Sequence, residues 1–118
     1  MNILLDIPNY SKEGETSQAG KSIMDHPILY PFIQRLEGYK TALKGIHWHG
    51  YNFTVHKQID EILDDVSEFQ DTIAEVGSGL YGIMPLGFVG IPYTATDPMG
   101  CIDYIIADVM GVHFLFEA

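Results

Sequence analysis

The chain has 118 residues, 47% of them apolar and 19% charged, which is enough for one domain with a modest core and too little for two. Six Lys and Arg, spread along the sequence, stand against sixteen Asp and Glu, so the net charge of −10 argues against nucleic-acid binding and favours cations. The single cysteine, Cys101, excludes an intrachain disulfide and a thiolate metal site, which favours a reducing, cytoplasmic location.

The N-terminal segment, residues 1–24, precedes the predicted folded domain at 25–118. It lacks the basic start and long apolar run of a signal peptide, and no stretch of about 18 apolar residues occurs anywhere in the chain. We therefore expect a soluble protein without a membrane partner. Residues 11–22, SKEGETSQAGKS, are small, polar and glycine-containing, and this composition predicts a flexible polar arm.

Two amphipathic helices are predicted next. Asp25, Pro27 and Pro31 are typical of a helix start, and apolar residues then recur at helical spacing to about Gly50. The second helix runs from Asn52, a candidate N-cap, to about residue 76, with Gly77 and Gly79 predicted to end it. A helix of that length is about 37 Å long, which favours a helical bundle. The apolar stripe of the second helix consists of Ile59, Ile62, Leu63, Val66, Phe69, Ile73 and Val76.

A third helix is predicted after a long connection. Glycine and proline residues occur throughout residues 77–100 and exclude a long helix there. Because this connection is long and apolar, it is expected to pack against the bundle or a partner chain. Asp97 and Pro98 then have the character of a cap and a first helical position. Three helices, the last almost wholly apolar, leave more apolar surface than one chain covers, so oligomerisation is predicted.

The second helix carries two pairs of metal-capable side chains. His56 and Asp60 are four residues apart, as are Asp71 and Glu75, so each pair lies one turn apart on the same face. The centres of the pairs are separated by about 22 Å along the axis, too far to share one ion. If two such helices pack antiparallel about a two-fold axis, each His-Asp pair meets the acidic pair of the other chain, which gives two equivalent intersubunit sites.

Other interpretations of these residues remain open. An imidazole with three carboxylates suits Fe(II), Mn(II) or Zn(II), yet acidic residues opposite an apolar stripe also form an ordinary solvated face, which Glu61, Asp64 and Glu68 share. His47, at the end of the first helix, is either a half-buried histidine or a ligand. Trp48 is by type more often a core anchor than a functional residue.

Residues 47–75, HWHGYNFTVHKQIDEILDDVSEFQDTIAE, resemble the signature of the Dps proteins, the DNA-protection-during-starvation group of mini-ferritins. The resemblance covers about a quarter of the chain, and from His56 onward its spacing has no gap. The matching residues are His47, Trp48, Gly50, Asn52, Phe53, His56, Asp60, Asp71, Ala74 and Glu75.

This resemblance implies a ferritin-like helical bundle with a ferroxidase site, a di-iron site in the family, at a two-fold interface. It implies that His47, His56 and Asp60 of one subunit bind Fe(II) together with Asp71 and Glu75 of its neighbour. Trp48 is then expected beside the site, where it intercepts oxidising equivalents. The implied reaction is the oxidation of Fe(II) by peroxide or oxygen, followed by storage of ferric iron.

The sequence departs from the Dps pattern in three places. The link between His47 and His56 is about three residues shorter, so His49 is an alternative ligand, and Val76 replaces the usual arginine. Dps subunits have four helices where this chain has room for about three, so a neighbour must supply the fourth or the assembly must differ. Two alternatives follow: a ferritin-like structural protein of a larger assembly, such as a phage component, or a protein that binds Mn or Zn for stability.

Overall fold

The structure, a computed structural model, describes residues 21–117, so most of the predicted polar arm lies outside the described range. The described residues form an all-α fold, as predicted. It consists of a short 3-10 turn, Ile23–Asp25, and three helices: α1 Leu29–His49, α2 Phe53–Tyr81 and α3 Pro98–Glu117. The order of the three helices and the start of α3 at Pro98 agree with the sequence prediction.

Helix α1 begins at Leu29, between the predicted start residues Pro27 and Pro31. The ring of His26 lies before it, and its Nδ1 accepts hydrogen bonds from the backbone N–H groups of Ile28 (3.3 Å) and Leu29 (2.9 Å). N–H groups at the start of a helix have no carbonyl partner within the helix, so the side chain of His26 acts as an N-terminal cap of α1. At the other end Gly50 has φ 97°, a left-handed conformation that glycine adopts without strain and that ends the helix.

Helix α2 begins as predicted, because the side chain of Asn52 accepts a hydrogen bond from the backbone N–H of Val55 at 3.0 Å. The predicted end at Gly77 and Gly79 is wrong: the helix continues to Tyr81. Gly77 is buried, and a Cβ there would lie 2.7 Å from a side-chain carbon of Leu29. Its role is to let the helix pass close to its neighbours. The helix ends at Gly82, with φ 125°.

Helix α1 lies between the other two helices and packs against both. The main core forms along it, and Ile23, Leu29 and Ile33 make a second cluster near the C-terminal end of α2. Residues 82–97 cross the surface of α1, where the N–H of Ile91 donates to the carbonyl of Gln34 at 2.9 Å. The buried residues of the main core are Phe32, Leu36, Tyr39, Leu43, Ile46, Ile59, Val66, Cys101, Ile105 and Val112.

A polar contact in the middle of α3 ties that helix to α1. Arg35 donates two hydrogen bonds to the carboxylate of Asp108, at 2.7 and 2.8 Å, and the hydroxyl of Tyr39 donates a third at 2.5 Å. Burial disfavours the charged carboxylate, but the hydrogen bonds from Arg35 and Tyr39 outweigh it and lower the pKa of Asp108. Burial and the hydrogen bond to Asp108 raise the pKa of Tyr39.

Most of the surface of α3 is exposed. Of the described helices it is the one whose length and composition suffice to cross a membrane, with a mean hydropathy of 1.5 over 18 residues and 17% of that window buried. Three of its apolar side chains, Ile106, Met110 and Phe114, follow one another at four-residue spacing and are 55, 46 and 61% exposed. We call these three residues the outer row of α3.

Candidate metal centre

Two histidines meet where α1 ends and α2 begins. His47 lies in the last turn of α1 and His56 in the first turn of α2, and the short link at residues 50–52 turns the chain back between them. Their rings are stacked, with centroids 3.8 Å apart and an interplanar angle of 23°. Each Nδ1 lies at hydrogen-bond distance from the backbone carbonyl of the other residue, 3.2 Å from His56 O and 3.1 Å from His47 O.

These hydrogen bonds fix the tautomer of both rings. A carbonyl oxygen only accepts, so each Nδ1 carries the hydrogen and each neutral ring keeps its lone pair on Nε2. No hydrogen bond to either Nε2 occurs within residues 21–117. An imidazole whose N–H is held by a backbone carbonyl while its other nitrogen stays free has the second-shell arrangement of metal-binding histidines. Each ring thus keeps one nitrogen that can act as a ligand atom.

The structure brings His47, not His49, to His56. The ring of His49 lies 4.7 Å from that of Tyr51 and lines a separate cavity of about 380 Å³ with Tyr93 and Asp97. Trp48 is 74% exposed next to His47, so it is not a core anchor.

The carboxylates predicted as ligands are all on the surface of α2. Asp60, Asp71 and Glu75 are exposed and form no ion pair with the described Lys, Arg or His residues. Asp60 follows His56 by one turn, and the centre of the Asp71 and Glu75 pair lies about 22 Å along the helix from the centre of that first pair. Among residues 21–117 no three or more His, Cys, Asp or Glu side chains converge on one point. The single chain therefore holds separate parts of the predicted site.

A buried polar contact that sequence reasoning missed fixes the acidic end of α2 against α1. The side-chain amide of Gln70, 6% exposed, donates to the carbonyl of Ile33 (3.2 Å) and to the carboxylate of Glu37 (3.0 Å). Its oxygen accepts from Lys40 at 3.0 Å. The available signal was a polar residue inside the apolar stripe, four residues after Val66, and its hydrogen bonds position the turn that carries Asp71.

No protein-family model, no curated protein and no solved structure matches this chain.

Proposed function

We propose that this chain binds Fe(II) at sites shared between two copies and oxidises it with peroxide or oxygen, as a Dps-like member of the ferritin-like proteins. The observation that supports the proposal best is the His47–His56 pair. Both rings are held by backbone carbonyls through Nδ1, which leaves Nε2 of each ring without a hydrogen-bond partner among residues 21–117, and the exposed Asp60 follows His56 by one helical turn.

The donor set fits the proposed substrate. Imidazole nitrogen with carboxylate oxygen is a ligand combination that Fe(II) accepts, and Mn(II) or Zn(II) as well. The site is completed when His47 and the α2 residues His56 and Asp60 of one copy face Asp71 and Glu75 on α2 of another, in an antiparallel two-fold dimer. The net charge of −10 raises the local concentration of cations around these exposed groups.

In the proposed reaction, each Fe(II) gives up one electron and two of them reduce one peroxide. The O–O bond breaks, two Fe(III) form, and the peroxide oxygens leave at the oxidation level of water. The residues of this chain bind and position the ions: the carboxylates balance the added charge of Fe(III), and the hydrogen bonds at Nδ1 orient the two imidazoles. Trp48 is exposed next to His47, where an oxidising equivalent that escapes the site can reach it.

A structural role in a larger assembly is the second candidate, and the exposed apolar surface of α3 is the observation that favours it. Both candidates use the same helices and both predict an oligomer. They differ in what His56 and Asp60 do, because only the first requires these two side chains to bind a cation.

The test is Fe(II) oxidation by the full-length protein, followed by ferric absorbance after peroxide is added to the Fe(II)-loaded sample. The test variant is His56→Ala with Asp60→Ala. The matched control is Glu61→Ala with Asp65→Ala, which removes two exposed carboxylates one turn apart on α2 that belong to neither predicted ligand pair. The control removes more negative charge than the test variant, so non-specific attraction of iron would decline more in the control.

We expect the wild type and the control to oxidise Fe(II) at least about 10-fold faster than buffer, and the test variant to lose that rate with its helix content unchanged, since both substituted residues are exposed. Equal rates in all three proteins, or oxidation no faster than buffer, would contradict the proposal and leave the structural role.

A further inference from the structure

An apolar groove of about 650 Å³ runs between α2 and α3, with α1 as its floor. Phe69, Val76 and Leu80 line it from α2, and Val109 and Phe116 from α3. No Asp, Glu, Lys or Arg is among its lining residues. At about 100° per residue, these α2 positions lie on a different face from His56, Asp60, Asp71 and Glu75. The groove is therefore separate from the proposed metal interface.

The groove exists because α2 and α3 each pack against α1 and scarcely touch one another. Its α2 wall from Phe69 to Leu80 is about 16 Å long, or about three turns of a helix. Two helices that share a third as their floor leave the space that one more helix fills in a bundle. Its occupant is thus expected to be an apolar helical surface about three turns long.

The outer row of α3 has this chemistry and this length. Ile106, Met110 and Phe114 form an uncharged ridge that extends over about 12 Å, and Met110 itself lines the groove. The row therefore borders the groove it would fill on another copy. A two-fold axis near Met110 places α3 of each copy against α2 and α3 of the other, so that both grooves are filled by one symmetric contact.

The exposed apolar area is sufficient for a stable dimer. Phe69, Phe114 and Phe116 are 40, 61 and 47% exposed, and Phe side chains of this exposure together offer roughly 300 Å² per chain. Adding Val76, Leu80, Ile106 and Met110 brings the area buried by two copies to on the order of 1,000 Å², the size from which specific interfaces are found. No Asp, Glu, Lys or Arg side chain lines the groove and has to be desolvated there.

We propose that a second copy of this chain occupies the groove, with the outer row of its α3 packed between α2 and α3. This interface needs no metal, and it lies on another face of α2 than the proposed iron sites. Each chain then has two separate two-fold interfaces, one through α3 and one completed by cations. Two different two-fold contacts on one chain build assemblies larger than a dimer.

The test measures the mass of the full-length protein in EDTA, by light scattering over a concentration series. Phe114→Glu is the test variant and Leu115→Glu its control, because the two residues are neighbours on α3, 61 and 58% exposed, and only Phe114 belongs to the outer row. We expect a dimer for the wild type and the control, and dimerisation at least about 100-fold weaker for Phe114→Glu, because a carboxylate would be buried in an apolar contact.

A cysteine pair tests the position of the axis. Met110→Cys is expected to give a covalent dimer on mild oxidation, whereas Leu115→Cys is not, and the native Cys101 is buried and does not take part. Three results would overturn the proposal: a monomeric wild type in EDTA, equal effects of the two glutamate variants, or no disulfide through residue 110. A monomeric wild type is also the result expected if residues 1–20 cover the groove in place of a second copy.

The proposal and the proposed function fail independently. His56→Ala with Asp60→Ala is expected to keep the dimer in EDTA, since neither residue faces the groove. Loss of that dimer in the His56 and Asp60 variant would contradict the placement of the two interfaces on separate faces. Phe114→Glu leaves the iron ligands in place. A change in the oligomer mass of this variant in EDTA therefore does not depend on whether the protein oxidises iron.

Discussion

At the scale of single residues, Asp108 is the most constrained charged group of the described fold. It accepts two hydrogen bonds from Arg35 and one from Tyr39, and its side chain is 14% exposed. Hydrogen bonds from the Arg35 guanidinium and the Tyr39 hydroxyl favour the ionised carboxylate, which the lowered pKa of Asp108 reflects. The contact stabilises the fold only while the carboxylate is charged.

We predict that Asp108→Asn lowers the free energy of unfolding by about 2 kcal/mol, less than for a fully buried pair because the side chain of Arg35 is 33% exposed. The pKa of Asp108 in the folded state lies below its ordinary value of 3.8. The stabilisation is therefore fully present well above pH 3.8 and is lost as the pH falls below 3.8 toward the folded-state pKa. Urea unfolding of both proteins from pH 7 to pH 3 measures this. Asp103→Asn, at an exposed position of α3, is the control, and a difference independent of pH would contradict the account.

The sequence could predict which residues carry metal-binding groups, but not how they are held. His47 and His56 were candidates from their types and spacing, whereas their mutual hydrogen bonds depend on the turn at residues 50–52. His26 was unassigned in the sequence, since nothing local indicates that its ring caps α1. Gln70 lies in an apolar stripe, and its partners Ile33, Glu37 and Lys40 come from another helix. Such contacts depend on tertiary packing, which no local pattern encodes.

At the scale of helices, the apolar periodicity predicted all three elements because each packs against the core on one side. The two cap residues, Asn52 and Asp97, were also identifiable, since capping is a local hydrogen bond. The C-terminal end of α2 was mispredicted because Gly77 was interpreted as a glycine that ends the helix. Its tertiary role, close contact with Leu29 and Ile23, is invisible in the sequence.

Two glycines of α1 give opposite predictions for the same substitution. A Cβ at Gly38 would lie 1.8 Å from the backbone oxygen of Ile91, whereas a Cβ at Gly45 meets nothing within 4 Å. Gly38→Ala must therefore push the connection at residues 88–93 off α1, and we expect a loss of about 3 kcal/mol in unfolding free energy. Gly45→Ala is expected to stabilise the helix by up to about 1 kcal/mol.

Chemical denaturation of both variants checks this pair of predictions. Since the substitution and the helix are the same, propensity contributes equally to both, and the difference isolates the contact between α1 and the connection. A stabilising Gly38→Ala would contradict the packing of residues 88–93 against α1.

At the scale of the whole molecule, the arrangement of the helices leaves both polar and apolar side chains exposed. Helix α1 is covered on two sides, while the carboxylates of α2 and the apolar surface of α3 face outward. The sequence predicted the excess of apolar surface and the separation of the two pairs of metal-capable side chains. It did not predict the groove, because the placement of α2 and α3 on α1 follows from packing rather than from periodicity.

The central claim is that each iron site takes His47, His56 and Asp60 from one copy and Asp71 and Glu75 from another. Co-expression of two inactive variants tests it most directly: His56→Ala with Asp60→Ala in one chain, and Asp71→Ala with Glu75→Ala in the other. Each variant alone lacks half of every site, whereas a mixed pair contains one complete site and one doubly defective site. With random pairing, Fe(II) oxidation by the mixture is predicted to recover to about a quarter of the wild-type rate. A mixture no more active than the two variants purified separately, with mixed oligomers shown to be present, would contradict shared sites.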